Sequence, residues 1–533
     1  MSIAAVLIST LLLGVVPSPD SSSVIRPGAL DTVPVEIYVD ANNPVSTDQN
    51  AGTVNSPLLT VQEGVRRARE NKRRNVASVV IINPGVYRET VTLAWTNRPE
   101  NQPDNATPIL VRASESGTVR LTGSDIWEDW TYRDDTRVLE HEWLFDWGEF
   151  DPGWELQGLA ARREMIFVNG DRMLQVDEPV LVEDYTFFVD EMNDVIRLKL
   201  PAKILATDPT IEVAVREVVW DQRYENNVTI DGIRFDHAAT PWKGGQGAVR
   251  VTWSRNVEIL NSEMHQNNWA GLYVGQSDTV SLGNVAMNDN GGQGWNTWRV
   301  RTFSSTDTET SYNNWRGALS GFKGWSVGNK LESMHGVSIR NHIARGNHSR
   351  GLWLDYDIQD AILDSLLIEN NEGDGIWLEA NPGPIAITNS KVLNNGESGI
   401  RTTFTENVTL ENNLLASNAL RQIEIAGKDK RWVRDFVSQE RLHLTVRNWT
   451  VRSNELSGGE NLIGVASNVR YKEWEEFTST LTADNNRYVS DKMAAFLVLN
   501  KTLSFIEARS REDFRGWRDH TGQDSNSSFV HSN

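Results

Sequence analysis

One short pattern returns along this chain at nearly constant spacing, and it limits the possible folds more than any other feature. Apolar-x-apolar-x-Asn occurs at Val257–Asn261, Val280–Asn284, Val337–Asn341, Ile385–Asn389 and Val408–Asn412, with Ser in the Asn place at Ala361–Ser365. The corner positions 261, 284, 341, 365, 389 and 412 are spaced 23, 57, 24, 24 and 23. The 57 reads as two turns of a coil plus an insertion of about ten residues. A second Asn follows six residues later at Asn290, Asn347, Asn371, Asn395 and Asn418. Alternating apolar positions indicate strands. A period in the low twenties with Asn or Gly at each corner indicates a chain that coils once per repeat and pairs each strand with its copy one coil on. The expected fold is all-β: a right-handed parallel β-helix, a pectate-lyase-like solenoid. The fixed leucine spacing of leucine-rich repeats, which have a similar period, is absent. The Asn columns are read as structural, because Asn bonds to backbone at tight turns, tolerates left-handed dihedrals and stacks into ladders.

The remaining segments attach to this coil. Residues 1–23 begin with the apolar run Ile3–Val16, too short to span a bilayer, and read as a signal peptide and leader. That predicts a secreted or periplasmic protein with no membrane contact after processing. Residues 35–126 read as an N-terminal cap and first coils, with Leu59–Asn71 helical and Val79–Ile82 a buried strand ended by Asn83-Pro-Gly85. Residues 127–215 hold crowded tryptophans and short alternating strands around Val168-Asn-Gly170, and read as an inserted β-sandwich-like subdomain. Residues 216–500 form the main coil, interrupted by a loop at 290–327. Residues 501–533 read as a helical tail (Ser504–His520) that frays over its last ten residues.

Bulk composition excludes some chemistries. A net charge of −20 disfavours nucleic acid, whose phosphates need a basic footprint. With no cysteine among the 533 residues, disulfides, thiolate metal sites and thiol nucleophiles are absent. Twenty tryptophans are many, and Trp serves both as a core filler and as a stacking surface for sugar rings. Oligomeric state is left open.

Three segments carry an acid at one equivalent place: Gly328-Asn-Lys-Leu-Glu332, Gly351-Leu-Trp-Leu-Asp355 and Gly375-Ile-Trp-Leu-Glu379. Alternation sends Leu352, Leu354, Ile376 and Leu378 inward. One outward column then holds Lys330, Trp353 and Trp377, and the next holds Glu332, Asp355 and Glu379. Adjacent strands lie about 4.8 Å apart, close to the ~5–5.5 Å carboxyl separation of retaining glycosidases. Stacked carboxylates raise one another's pKa, which separates a nucleophile from a proton donor. Trp353 and Trp377 are expected to hold a sugar ring, and Lys330 and Glu332 to bond its hydroxyls. Trp315, Arg316 and Trp325 from the 290–327 loop, with His335 and Asp357 at the strand ends, complete the expected set around an oligosaccharide or polysaccharide.

Gly351-Leu-Trp-Leu-Asp-Tyr-Asp357 followed by Trp377-Leu-Glu-Ala-Asn-Pro-Gly-Pro384 resembles the catalytic stretch of β-helix glycoside hydrolases, and of glycoside hydrolase family 120, the β-xylosidase family, in particular. Phe167-Val-Asn-Gly170, Tyr38-Val-Asp40 and Gly85-Val-Tyr-Arg-Glu89 are similar to that family as well. The resemblance implies that Asp355 is the nucleophile and Glu379 the acid/base. Two other readings stay open. One is a polysaccharide lyase or uronate epimerase with Lys330 as base and calcium held by the acids. The other is a non-catalytic carbohydrate-binding solenoid.

Overall fold

A computed structural model describes residues 33–94, 106–149, 156, 158–317, 328–427, 431–503 and 506–532. The signal-peptide segment at 1–23 and Trp325 lie outside them. The rest is an all-β, right-handed parallel β-helix in which one sheet system takes in 33 strands. Apart from Ile506–Glu512, each of these strands pairs in parallel with its copy one coil away. Val228–Asp231, for example, pairs with Arg255–His265, which pairs in turn with Asp278–Ala286. The inward residues fuse into one continuous apolar core, from Ile37 near the N-terminal end to Trp517 near the C-terminal end.

The two Asn columns do different work. Asn261, Asn284, Asn341, Asn389 and Asn412 all take left-handed φ between 47° and 58°. These are the corners that turn the chain, and Asn284 is exposed there. The second column is buried: Asn267, Asn290, Asn313, Asn347, Asn371, Asn395 and Asn418 stack in sequence. Each of the first six donates through Nδ2 to the next residue's Oδ1, at 2.7–3.1 Å. The backbone N–H groups follow the same path: Asn347 N reaches Asn371 Oδ1 at 3.1 Å, and Asn371 N reaches Asn395 Oδ1 at 3.1 Å. An amide buried in an apolar solenoid is costly unless all its bonds are made, so the ladder fixes where each coil sits on the next. A second ladder, Asn413–Asn454–Asn486, continues through the last coils at 3.0 and 3.2 Å.

Both ends are covered. Helix Val61–Arg73, capped by the Thr60 side chain, lays Val61, Val65 and Ala68 on the first coils. At the other end, helix Phe514–Thr521 buries Trp517 beside Phe496, with rings 5.1 Å apart. The tail differs from the sequence expectation. Ile506–Glu512 is a strand antiparallel to Phe496–Leu503, and Ser528–His531 pairs in parallel with Arg487–Ser490. The Ser/Asn-rich end is therefore a final rung. It is held through the buried Asp524, which accepts from Tyr488 Oη, Trp517 Nε1 and Asn486 Nδ2.

Within the segment expected as a loop at 290–327, the described residues 290–317 are largely a regular coil. Trp295–Glu309 pairs with the strands before and after it. Its inward positions include Thr297, Ser305 and Thr308, and its corner is Asp307 rather than Asn, which hides the repeat. Thr297 donates to Met334 Sδ, Ser305 pairs with Thr308, and Thr308 meets the buried His342, whose ring stacks on Trp295 at 4.7 Å. Between residues 124 and 214 a four-stranded and a five-stranded sheet share a core built from Trp143, Ile166, Val168, Phe187, Ile196, Leu198 and Val213.

Truncating the buried ladder and truncating an exposed corner should have separable effects. Asn371→Ala removes four ladder bonds and should cost about 2–4 kcal/mol, read as a lower urea midpoint. Asn284→Gly keeps the left-handed backbone and should shift stability by less than about 1 kcal/mol. Equal losses at both positions would contradict the division of labour.

Candidate active site

Parallel pairing on one face gives two outward columns. The first runs Arg250, Tyr273, Asn296, Lys330, Trp353, Trp377, Arg401. The second runs Thr252, Gly275, Trp298, Glu332, Asp355, Glu379, Thr403. Glu332, Asp355 and Glu379 are direct Cα partners on successive rungs, so the three acids stand in one row. A bulge between Gly328 and Lys330 absorbs the irregular residue and restores the register before the acids.

Lys330 is the hub of the row. Its Nζ lies 2.8 Å from Asp355 Oδ2, 3.0 Å from Glu332 Oε2 and 4.3 Å from the Trp353 ring centre. Burial works against the ammonium charge, but Asp355 and then Glu332 outweigh it, so its pKa is raised. Asp355 is 7% exposed, and its Oδ1 has no hydrogen-bond partner among the described residues. Glu379 is pushed up from the usual carboxylate range, first by burial and then by the charge on Asp355, while Arg431 at 2.5 Å opposes the rise. Two neighbouring carboxyl groups thus sit in different electrostatic settings.

Trp353 and Trp377 depart from expectation. They are 1% and 8% exposed and stack on each other at 4.7 Å. Lys330 lies against the first ring and Arg350 against the second, at 4.1 Å. With their faces covered, they are not platforms for a sugar; they shield Lys330 from water. Arg350 is held 3.0 Å from the buried Asp374, whose pKa burial lifts to about 6 against the pull of Arg350 and Arg401. Lys330 is likewise buried beneath two carboxylates, which corrects its expected role in bonding sugar hydroxyls.

Two loop residues are also relocated. Trp315 donates through Nε1 to Asp289 O at 3.0 Å and lies 3.7 Å from the Arg172 guanidinium. Arg316 donates to Gln175 Oε1, Glu164 O and Asn268 Oδ1 at 2.6–2.8 Å. Both pin the inserted subdomain to the coil, away from the acid row. Aromatic and Arg/Asn composition is the same for a clamp between substructures and for a sugar grip.

His335 and Asp357 anchor a hairpin that the sequence pattern does not reveal. Strands Arg431–Arg434 and Arg441–Leu444 pair in antiparallel fashion and fold back over the face. The buried Asp357 accepts from Phe436 N at 2.7 Å, and His335 packs edge-on to the Phe436 ring. This brings Arg431 to Glu379. A signal was present: Asn413 and Asn454 are ladder neighbours 41 residues apart, one coil plus an insertion. His335, Asp357 and Asp435 bring three ligand-type atoms within 4.8 Å of one another. Asp357 and Asp435 already accept from Phe436 N, Gln359 Nε2, Val437 N and Ser438 N, so these groups serve as a fastening rather than an oxygen cage for calcium.

A cavity of about 500 Å³ opens on the N-terminal side of the row, with Lys330 and Glu332 at one end and Tyr273 and Trp298 in its walls.

The family described as right handed beta helix region matches residues 247–435. No curated protein matches the sequence. Among solved structures, XylC in complex with xylose is similar at a TM-score of 0.62 and 16% identity, over 88% of this chain and 88% of that one. A structure described as a glycoside hydrolase is similar at 0.56 and 11% identity, over 74% of this chain and 94% of that one. At these identities the likeness is one of fold. Among the described residues, no helix is long and apolar enough to cross a membrane.

Removing the hub should expose the charge balance. Lys330→Met leaves two carboxylates facing each other in a partly buried site and should cost about 3–5 kcal/mol. Adding Asp355→Asn should recover part of that loss in a double-mutant cycle. Additive losses by urea unfolding would rule out the coupling.

Proposed function

We propose that this chain is an exported retaining glycoside hydrolase, with Asp355 as nucleophile and Glu379 as acid/base. The observation that carries the reading is the pairing of Asp355 and Glu379 on adjacent in-register rungs in unlike settings. One rung is about 4.8 Å, which matches a double-displacement geometry and leaves too little room for the water of an inverting one. Lys330 grips Asp355 Oδ2, leaving Oδ1 to form the new bond. The raised pKa of Glu379 suits a group that must hold a proton at the start of the cycle.

In the first step, Asp355 attacks the anomeric carbon while the Glu379 carboxyl gives its proton to the leaving oxygen. In the second, the Glu379 carboxylate takes a proton from water, whose oxygen attacks the same carbon and releases Asp355. The fold likeness to XylC bound to xylose and to a glycoside hydrolase is an analogy of scaffold. It makes β-xylosides, as units of plant or algal oligosaccharides, the first substrates to try. Lys330 is poorly suited to act as the base of a lyase or epimerase, because its raised pKa keeps it protonated.

A panel of aryl glycosides followed by NMR should show the product formed first with the substrate's anomeric configuration; inversion would rule the mechanism out. Asp355→Asn should abolish turnover. Glu379→Gln should lower kcat about 10²–10⁴-fold on substrates with poor leaving groups, and far less on activated ones. A binding-only solenoid would have no turnover to lose.

The pH profile carries a sign. Glu379 acts protonated, so kcat/KM should fall as pH rises through its raised pKa. Arg431 pulls that pKa down, so Arg431→Met should move the alkaline limb upward, with Arg431→Lys restoring part of it. An unmoved limb would mean that another group titrates.

A further inference from the structure

The cavity beside the acid row does not end at Tyr273. It continues past Gln276 and Trp253 into a second cavity of about 520 Å³ that shares both residues. In a protein of net charge −20 this groove has the opposite sign. Six cations line the two cavities, five of them arginines, against the two carboxylates Glu332 and Asp278. Lys330 is matched by the acids beside it and Arg301 by Asp278 at 2.9 Å. Arg223 and Arg250 share a single carboxylate, Asp221, at 3.2 and 2.8 Å, and Arg223 Nε is buried without a partner among the described residues. The exposed Arg299 rests on Trp298 at 4.5 Å. The far end therefore keeps an excess of guanidinium.

The same wall offers an open aromatic face. Trp253 is 40% exposed, unlike Trp353 and Trp377, and stacks on Tyr224 at 5.1 Å. Its φ of 48° is that of a coil corner, as at Gln276 and Arg299 on the next two rungs. Arg250 stands three rungs from Lys330 in the outward column, roughly 14 Å. That places the cationic region beyond the bond to be broken and in line with it.

We infer that this groove is a subsite for a sugar unit bearing an anionic group, a carboxylate or a sulfate ester, with Trp253 under the ring and Arg223, Arg250 and Arg299 around the anion. Guanidinium groups bind both anions through paired N–H donors. This names the substrate class of the site proposed above and rests on that reading for the cleavage, though not for the binding.

Calorimetry with the Glu379→Gln variant, which keeps Lys330 and Asp355 paired and slows turnover of oligosaccharides, tests it. The probes are a glucuronic-acid-substituted xylo-oligosaccharide, a sulfated galacto-oligosaccharide and the neutral counterpart of each. At least one acidic probe should bind about tenfold tighter than its neutral counterpart, and added salt should shrink that margin. Whichever acidic probe gains identifies the anion. Arg250→Gln and, at an exposed position that leaves folding intact, Arg299→Gln should erase the margin while leaving neutral binding within about threefold. Equal affinity for acidic and neutral probes overturns the inference, as does a margin untouched by both arginine variants. If no glycoside is hydrolysed while arginine-dependent acidic binding persists, the hydrolase reading fails and the subsite stands. If glycosides are hydrolysed with no acidic preference, the subsite fails and the hydrolase reading stands.

Discussion

Coil-on-coil register is the constraint from which everything else in this molecule follows, and it is set by amides buried where no water can replace their partners. Asn267 through Asn418 form one column in which each side chain but the last donates to the Asn of the coil after it. A slip of one residue would turn every inward side chain outward and leave a file of buried amides unpaired. Apolar alternation excludes one-residue slips, and the directional bonds select among the alignments that keep the apolar side chains inward. A row of acids on the outer face is then a consequence of inner-wall geometry.

The face uses that alignment to hold charges that would otherwise repel. One buried ammonium serves two acids, and its own desolvation is offset by both. The paired tryptophans exclude water from it, and Arg350 closes the stack against Asp374. Glu379 is tuned from elsewhere in the chain, by an arginine on a hairpin fastened through Asp357. The neighbouring groove carries the complementary sign, so a negatively charged protein presents a local cationic surface.

Much of the coil was legible because its signals are local and repeat. The left-handed Asn corners, the inward leucines and the row Glu332–Asp355–Glu379 all follow from alternation and period. What escaped depended on contacts distant in sequence or on broken repetition. Trp295–Glu309 was hidden because its inward hydroxyls find partners distant in sequence, Met334 for Thr297 and His342, 34 residues on, for Thr308. Arg316 looked like a sugar ligand because sequence cannot show that Gln175 and Glu164 stand opposite it. Trp353 and Trp377 were placed on the correct face, but the cations that cover them come from Lys330 and Arg350. The terminal strand at Ser528–His531 is short and mostly exposed, and becomes a rung only because Arg487–Ser490 offers a free edge.

The division of roles between two acids one rung apart is most directly tested by trapping. An activated 2-deoxy-2-fluoroglycoside of a sugar that the protein cleaves slows release of the covalent intermediate, and peptide mass spectrometry locates the label. A glycosyl adduct on the peptide containing Asp355, absent in Asp355→Asn, is the result a double displacement on this row requires. A label on Glu332 or Glu379 instead, or rapid turnover with inverted product and no adduct, would contradict it.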